Sequence, residues 1–436
     1  MIMKRLIFGI ILALVATSAS ALEGTWRGVL DLGRARLAIV LNFSQDAEGK
    51  SVCTFDSPDQ GAYGIATRID YLTADSVAVE VTMASIKMRG RIEGKRIEGT
   101  FEQGPARLPM LLEYQEPEDN KTDLPYSVSE VAIPSGEALL AGTMCMPSDP
   151  KALVVMVTGS GPQNRDEELM GHKPFAVLAD SLARRGIASI RYDDRGVAKS
   201  TGDFATATTD TFALDASRVV DYARTQFGGR VGIIGHSEGG YIAYQLGSEG
   251  VVDMSVAIAG PAVPCREIIL DQNRHTLEQS GMSKEVITTA LAIIDEAFDV
   301  IAAGGTLDFD AIAGERASQL PAMLMAQLRA TSTASTTPWV RRFVGLDAAP
   351  YLRDMKCPLM AIFGTLDTQV RSSVNMARIR ELCPGVNAKE YAGLNHLMQH
   401  AVTGEVAEYA EIEETMSPEV IADIIDFIHS ATAPQR

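Results

Sequence analysis

The segment Gly235–Gly239, with the sequence Gly-His-Ser-Glu-Gly, constrains the fold of this chain more than any other feature. It follows the apolar run Val231–Ile234 and precedes a segment with a helical pattern. At a sharp turn from strand to helix a central serine is held in strained backbone geometry, and only small residues fit two positions away on either side. The pattern therefore predicts a nucleophile elbow that presents the hydroxyl of Ser237, with the turn formed by Gly235, His236 and Gly239.

Short apolar runs alternate with helical segments from about residue 124 onward. The runs are Leu153–Val157, Ile187–Ile190, Val231–Ile234, Met254–Ile258 and Leu359–Phe363. Uninterrupted apolar runs of this length are typical of strands that are buried on both faces of a parallel sheet. The alternation predicts a doubly wound, mostly parallel α/β sheet for residues 124–436.

One stretch interrupts this alternation. Residues 261–347 have helical patterns, clearest at Ser283–Ala302 and Glu315–Thr331, and contain no strand-like run. An insertion that follows a strand near the carboxyl edge of such a sheet lies over the ligand crevice. We therefore predict a helical cap. Two aromatic residues of this cap, Trp339 and Phe343, are candidates for the acyl pocket, and equally for anchors that pack the cap onto the sheet.

Residues 22–115 have a different pattern. Strand-like stretches with period-two alternation, such as 36–40 and 76–81, are separated by turn residues, and no long helical period occurs. This predicts a small all-β barrel or sandwich. No grouping of a nucleophile, a base or metal ligands stands out there. The polar segment 116–123 follows the last strand and is predicted to be a linker.

The first 21 residues have the pattern of a secretory signal peptide. Lys4 and Arg5 precede an apolar run that ends near Ala16, and Ala19-Ser-Ala21 fits the small-residue rule for cleavage. We expect cleavage after Ala21, export to the periplasm or the medium, and no integral membrane segment in the mature chain.

A nucleophilic serine needs a general base, and the base needs an acid that orients it. Asp367 directly follows the apolar run Leu359–Phe363, and His396 lies in a loop after the next predicted strand, Ala388–Tyr391. The order Ser, Asp, His along the chain is the order used by α/β-hydrolases. The sequence therefore predicts a catalytic triad of Ser237, Asp367 and His396.

The tetrahedral intermediate of acyl transfer needs two hydrogen-bond donors. One is predicted to be the backbone N–H of Glu238, the residue after the nucleophile. The other is expected from the glycine-rich loop Thr158–Asp166, which follows the first apolar run. We assign Ser160 as the second donor, with Gly161 as the alternative, because glycines let the backbone approach the substrate oxygen closely.

The composition excludes several classes of function. Asp and Glu number 56 against 39 for Lys and Arg, a formal charge of −17, which disfavours nucleic acid and anionic lipid as partners. No H-E-x-x-H pattern and no dinucleotide fingerprint occur, so neither a metal nor a cofactor is predicted. None of the five cysteines lies near the predicted chemistry. Cys357 and Cys383 are the one pair that we hypothesise to form a disulfide.

Four segments together resemble a branch of bacterial α/β-hydrolase carboxylesterases that carry a β-rich N-terminal domain. They are Thr158–Asp166, Arg191–Asp203, Gly235–Gly240 and Gly393–Gln399. The resemblance implies an α/β-hydrolase fold, the triad and oxyanion donors assigned above, and a small-molecule ester as substrate. Related enzymes often have His where Thr158 stands. Within the second segment, we expect Asp194 and Arg195 to form a structural ion pair.

The leading hypothesis is a serine esterase that works through an acyl-enzyme intermediate, with short acyl chains as substrates. The first alternative is a serine peptidase, because the same triad cleaves amides in small peptides or aminoacyl amides. The second is a non-catalytic glycan-binding protein, in which the β domain binds the ligand and the triad is vestigial. The sequence does not indicate the oligomeric state.

Overall fold

The computed structural model describes residues 22–32, 36–45, 49–58, 62–116 and 124–433. The predicted signal peptide and residues 117–123 of the predicted linker lie outside the described residues. The chain divides into two compact units. Among the described residues, one unit comprises those up to Asp56 and from Ile65 to Glu116, and the other comprises those from Ser57 to Gly64 and from Leu124 onward.

The N-terminal β-rich region consists of one nine-stranded sheet. Its strands are β1 (Gly24–Asp31), β2 (Arg36–Gln45), β3 (Ser51–Ser57), β4 (Ala62–Ala66), β5 (Arg68–Leu72), β6 (Ser76–Val81), β7 (Ile86–Glu93), β8 (Arg96–Gln103) and β9 (Ala106–Gln115). They lie in the order β4-β3-β2-β1-β9-β8-β7-β6-β5. Buried side chains from β1–β3 and β6–β9 form one apolar cluster that includes Trp26 and Phe101. A sheet with one shared apolar face curves around that face.

The larger unit is built on an eight-stranded sheet. Its strands are β10 (Tyr126–Ser135), β11 (Ala138–Pro147), β12 (Ala152–Val157), β13 (Ile187–Tyr192), β14 (Val231–His236), β15 (Ser255–Ile258), β16 (Leu359–Gly364) and β17 (Asn387–Tyr391). The order is β10-β11-β13-β12-β14-β15-β16-β17. The pairings from β13 to β17 are parallel, and the β10–β11 hairpin joins β13 antiparallel. The predicted α/β-hydrolase fold with a preceding β-rich region is confirmed.

Helices cover both faces of this sheet. Successive residues of β12 point to opposite faces, so Val154 and Met156 pack with α1 (Pro174–Arg184) and α11 (Pro418–Thr432). On the other face Leu153 and Val155 pack against α2 (Thr209–Gln226) and α3 (Glu238–Glu249). Further along this second face, α3 packs with α9 (Ala349–Arg353) and α10 (Ser372–Leu382). Burial on both faces is the physical reason for the uninterrupted apolar runs.

The insertion after β15 is helical, as predicted. It contains α4 (Cys265–Gln279), α5 (Lys284–Ala302), α6 (Phe309–Ala313), α7 (Ala322–Ala334) and α8 (Pro338–Phe343). Its helices share an apolar cluster of their own, with Phe298 and Leu324 among its members. The helical segment predicted at Glu315–Thr331 is divided into two helices in the structure. A 3₁₀ helix, Gly314–Gln319, ends before Pro321, which lacks a backbone donor and is the N-cap residue of α7.

Within the described part of the chain, no helix is both long and apolar enough to cross a membrane.

Candidate active site

Ser237 occupies a strained turn between β14 and α3. Its backbone angles are φ 53° and ψ −117°, a combination that side chains rarely adopt and that tight packing must hold in place. The flanking glycines are sterically required. A methyl group on Gly235 would lie 1.9 Å from the carbonyl oxygen of Gly239, and one on Gly239 would lie 2.2 Å from the carbonyl oxygen of Val157. The segment therefore has the geometry of a nucleophile elbow.

The Asp367 and His396 side chains meet in a buried hydrogen bond. Nδ1 of His396 lies 2.8 Å from Oδ2 of Asp367. The other carboxylate oxygen, Oδ1, accepts the backbone N–H groups of Gln369 and Val370, both at 2.8 Å. Asp367 is therefore fixed by three donors and orients the imidazole. His396 and Ser237 line the same cavity.

The loop that carries His396 is held by a buried asparagine. Oδ1 of Asn395 accepts the backbone N–H groups of Leu397 and Gln399, each at 3.0 Å. Its amide donates to Oε1 of Gln399 at 2.8 Å. Because Asn395 is fully buried, these bonds are shielded from water and fix the backbone on both sides of the histidine.

The predicted oxyanion donors also lie at this cavity. Glu238 is the first residue of α3, and an N–H at that position has no partner within its helix. Ser160 lines the cavity from the loop after β12. The alternative donor, Gly161, has φ 96°, a conformation that favours glycine. The N–H of Gly159 is already taken, because it donates to Oε1 of Glu167 at 2.7 Å.

The expected Asp194–Arg195 ion pair is wrong. The guanidinium of Arg195 instead pairs with Asp215 on α2, with its Nε 2.7 Å from Oδ2. Asp194 accepts the hydroxyl of Thr158 and the backbone N–H of Gln163, both at 3.0 Å. Asp194 therefore holds the start and the middle of the oxyanion loop, and Thr158 anchors that loop where related enzymes often have His.

A neighbouring aspartate holds the next part of the same loop. Asp193 pairs with the guanidinium of Arg165 through both carboxylate oxygens, at 3.0 and 2.8 Å, and also accepts the Arg165 backbone N–H at 2.8 Å. Neither aspartate was predicted at the site from the sequence. The signal available for them was their position directly after the buried strand β13, at the carboxyl edge of the sheet.

The cavity in front of Ser237 has a volume of about 320 Å³. Its walls combine apolar and polar side chains, and no lysine or arginine is among the described residues that line it. Trp339 and Phe343 of α8 both line it, with their rings stacked at a centroid distance of 4.6 Å. The same two rings also pack against the apolar cluster beneath the insertion. Each ring therefore both lines the cavity and packs α8 against the apolar cluster.

The side chain of Glu238 connects three parts of the site. Its Oε1 accepts the hydroxyl of Thr209 at 2.6 Å and the indole N–H of Trp339 at 2.9 Å. Burial raises the pKa of Glu238, while hydrogen bonds from Thr209, Trp339 and Ser160 oppose that rise. The carboxyl group thus links α8 to the oxyanion loop without a basic partner among those donors.

All five cysteines are free in the structure, so the hypothesised Cys357–Cys383 disulfide is not formed. Cys53, Cys145 and Cys265 are buried. Among the described residues, no group of three or more His, Cys, Asp and Glu side chains is arranged to hold a metal ion.

Comparisons with known proteins place these features among hydrolases. A family model described as Hydrolase_4, serine aminopeptidase S33, matches residues 149–400. Esterase EstD of Thermotoga maritima is 28% identical over 274 residues, which cover 61% of this chain and 59% of the esterase. The chain therefore aligns with about three fifths of the length of this curated relative.

Solved structures give a more distant likeness. An esterase of Pyrococcus furiosus has a TM-score of 0.45 at 17% identity, over 71% of this chain and 93% of that one. Proline iminopeptidase of Mycobacterium smegmatis has a TM-score of 0.42 at 17% identity, over 70% and 99% of the two chains. Est1E of Butyrivibrio proteoclasticus with bound ferulic acid has a TM-score of 0.41 at 14% identity, over 69% and 99%.

Proposed function

The chain belongs to the serine aminopeptidase S33 family of hydrolases, Hydrolase_4, and we propose that it is an exported serine esterase that cleaves carboxylic esters with short acyl chains. One observation carries the proposal: a serine on a strained elbow lines the same cavity as His396, whose Nδ1 lies 2.8 Å from the buried carboxylate of Asp367. The pattern of the first 21 residues supports export, and N-terminal sequencing of the protein recovered from the periplasm tests it.

The proposed reaction is two-step acyl transfer. His396 accepts the proton of the Ser237 hydroxyl as the oxygen attacks the ester carbonyl, and Asp367 stabilises the resulting imidazolium. The N–H groups of Glu238 and Ser160 bind the developing oxyanion. His396 then protonates the leaving alcohol. Water, activated by the same imidazole, attacks the acyl-enzyme, and the serine is released with the acid product.

The size and polarity of the cavity support a small, neutral substrate. A volume of about 320 Å³ lies at the lower end of the range for small-molecule pockets. The absence of lysine and arginine among its described lining residues disfavours an anionic acyl group, which would lose its hydration without gaining a counter-charge. Stacked aromatic side chains from α8 favour an apolar acyl chain.

The alternative is a peptidase that cleaves small peptides or aminoacyl amides, as the family description suggests. Such an enzyme needs a carboxylate that can receive the substrate ammonium. The two carboxylates that line the cavity already accept protein donors: Glu167 accepts from Gly159 and His236, and Glu238 from Thr209 and Trp339. This occupancy favours the ester over the aminoacyl substrate.

A panel of substrates tests the proposal. Purified protein is assayed with p-nitrophenyl esters from acetyl to octanoyl, beside aminoacyl p-nitroanilides. We expect turnover of the esters, with kcat/KM falling steeply beyond about butyryl because the cavity is small. Turnover of the anilides alone would establish the peptidase alternative. Inertness towards both classes would favour the non-catalytic glycan-binding alternative.

A further inference from the structure

His236, the residue before the nucleophile, has a role beyond forming the turn. Its Nδ1 lies 2.8 Å from Oε1 of Glu167, and its Nε2 lies 3.0 Å from the backbone carbonyl oxygen of His396. Both side chains of the pair are buried, with 8% of the His236 side chain and 5% of the Glu167 side chain exposed. The imidazole therefore spans from the oxyanion loop to the loop of the general base.

Both ring nitrogens of His236 face hydrogen-bond acceptors. A backbone carbonyl oxygen can only accept, so Nε2 must carry a proton. Oε1 of Glu167 already accepts the N–H of Gly159 at 2.7 Å, and a carboxylate also only accepts. Hydrogen bonds to both partners of His236 therefore require two protons. One lies on Nε2, and the other lies between Nδ1 and Oε1 of Glu167. An imidazolium beside a carboxylate meets this requirement and keeps Oε1 as an acceptor for both Gly159 and His236.

The charge of Glu167 also favours the protonated form of His236. Burial by itself lowers the pKa of His236, but the charge of Glu167 and the hydrogen bond between them outweigh burial, so the pKa is raised. The titratable groups that face His236 are Glu167 of the oxyanion loop, and His396 and Asp367 of the loops after β17 and β16. The rings of His236 and His396 lie 4.6 Å apart between centroids.

The backbone of Glu167 is strained in a way that places its side chain. Its φ is 53°, in the left-handed region that residues other than glycine rarely adopt. Such a conformation persists only where the surroundings hold it. Here the Glu167 N–H donates to the carbonyl oxygen of Asn164 at 2.9 Å, and the carboxylate reaches Gly159 and His236 at once.

We propose that His236 and Glu167 are a positioning pair that carries one shared proton and ties the loop of the second oxyanion donor to the loop of the general base. Gly159 is held beside Ser237, since a methyl group built on it would lie 3.1 Å from the Ser237 Cβ. The carbonyl of His396 is held from the other side. The inference rests on the proposed function, because it assigns these loops to the oxyanion hole and the base.

Two single variants and their combination test the pair. Glu167→Gln keeps an oxygen for Gly159 but removes the charge that stabilises the imidazolium. His236→Asn can donate to only one of the two partners in the same geometry. We expect each to lower kcat for a short-chain ester by about 10- to 100-fold, through misplacement of reacting groups, with KM nearly unchanged. The double variant is expected to be no slower than the slower single variant, because the residues act as one unit.

A matched control is available at another buried histidine. His172 also has partners on both nitrogens, Thr415 Oγ1 at 3.0 Å and the carbonyl oxygen of Tyr409 at 2.9 Å, and it contacts neither Gly159 nor His396 through these bonds. His172→Asn is expected to lower stability and leave kcat unchanged. If it lowers kcat as much as His236→Asn does, the effect is general loosening and the positioning role is refuted.

The pH profile separates positioning from loss of packing. His236→Asn leaves the Glu167 charge without its imidazolium, so the rising limb of kcat/KM is expected to move to higher pH, because an uncompensated negative charge beside the site favours protonation there. Glu167→Gln leaves a neutral pair and is expected to leave the limb in place. Equal displacement in both variants, or none in either, contradicts the proposal.

A spectroscopic measurement decides the protonation state without any substrate. The chain has six histidines, so ¹⁵N-histidine labelling, with His236→Asn for assignment, identifies the two ring nitrogens of His236. We expect both to be protonated at about pH 8, above the ordinary pKa of about 6.5 for histidine. A single protonated nitrogen at that pH would overturn the inference. Failure of ester turnover would instead refute the proposed function and leave this spectrum as the test of the pair.

Discussion

Asp367→Asn is the substitution whose effect can be worked out most fully from the structure. Oδ1 of Asp367 accepts two backbone N–H groups at 2.8 Å, from Gln369 and Val370, while Oδ2 lies 2.8 Å from Nδ1 of His396. An asparagine must direct its carbonyl oxygen to the two N–H groups. Its NH₂ group then faces Nδ1, which must accept, and the proton of the neutral imidazole moves to Nε2. An imidazole in that tautomer cannot take the proton of Ser237.

The reactive tautomer requires the introduced side-chain amide to flip. The flip leaves the buried N–H groups of Gln369 and Val370 facing a donor instead of an acceptor, at about 1–3 kcal/mol each and therefore about 2–6 kcal/mol together. A combined penalty of about 4 kcal/mol corresponds to a roughly 10³-fold smaller population of the reactive state, at about 1.36 kcal/mol for each factor of ten. We therefore expect kcat to fall by about 10³-fold with KM nearly unchanged, because the fold and the cavity are preserved.

The assay compares steady-state hydrolysis of p-nitrophenyl acetate by the wild type and the variant. Asp423→Asn is the matched control, because Asp423 also accepts from two protein donors, Tyr391 and Lys389, and is not among the residues that line the cavity. Its kcat is expected to equal that of the wild type. A kcat for Asp367→Asn within tenfold of the wild type, in a variant with unchanged thermal unfolding, would refute the assignment of Asp367 as the residue that orients the base.

Four further predictions follow from packing, hydrogen bonding, thiol burial and the free state of the cysteines. Gly159→Ala places a methyl group 3.1 Å from the Ser237 Cβ, so we expect kcat for p-nitrophenyl acetate to fall by about tenfold or more; an unchanged kcat would contradict the close approach. Trp339→Phe removes a donor from the buried Glu238 carboxyl, and urea unfolding should show a loss of about 1–3 kcal/mol; equal stability would mean that this bond contributes nothing. Burial raises the pKa of Cys53 to about 12, so its thiol should resist alkylation at neutral pH in the native protein. All five cysteines should titrate once the chain is unfolded without reductant, whereas a count of three would indicate a disulfide.

Much of the catalytic unit could be predicted because strands that are buried on both faces of a sheet appear in the sequence as uninterrupted apolar runs. Strands β12 to β16 are buried at every residue, and each overlaps one of the predicted apolar runs. The β10–β11 hairpin was missed because neither of its strands is buried along its whole length, and β10 lies at the sheet edge. Exposed and buried residues mix along β10, from Glu130 to Ser135 for example, and leave no apolar run. Pro321 is a helix-breaking residue in the middle of the predicted segment. The helical pattern on both sides of it was nevertheless interpreted as one segment.

The chemical groups of the site were predicted and several of their supports were not. Ser237 was identified because the geometry of an elbow requires glycines at fixed spacing. Glu167 and Asp194 act over separations of 69 and 36 residues, on His236 and Thr158. No periodicity or local motif encodes such contacts, since they depend on how two loops meet above the sheet. Asp194 was paired with its neighbour Arg195 for the same reason: adjacency in sequence was the only available guide.

Labelling with a fluorophosphonate probe tests the central claim most directly, because the probe reacts with an activated serine whatever the natural substrate is. Native protein is treated with the probe, digested, and analysed by mass spectrometry. We predict a single modified serine, Ser237, with labelling abolished by heat unfolding before treatment and strongly slowed in His396→Ala. Ser237 left unmodified in folded protein, or a label located on another serine, would contradict the account.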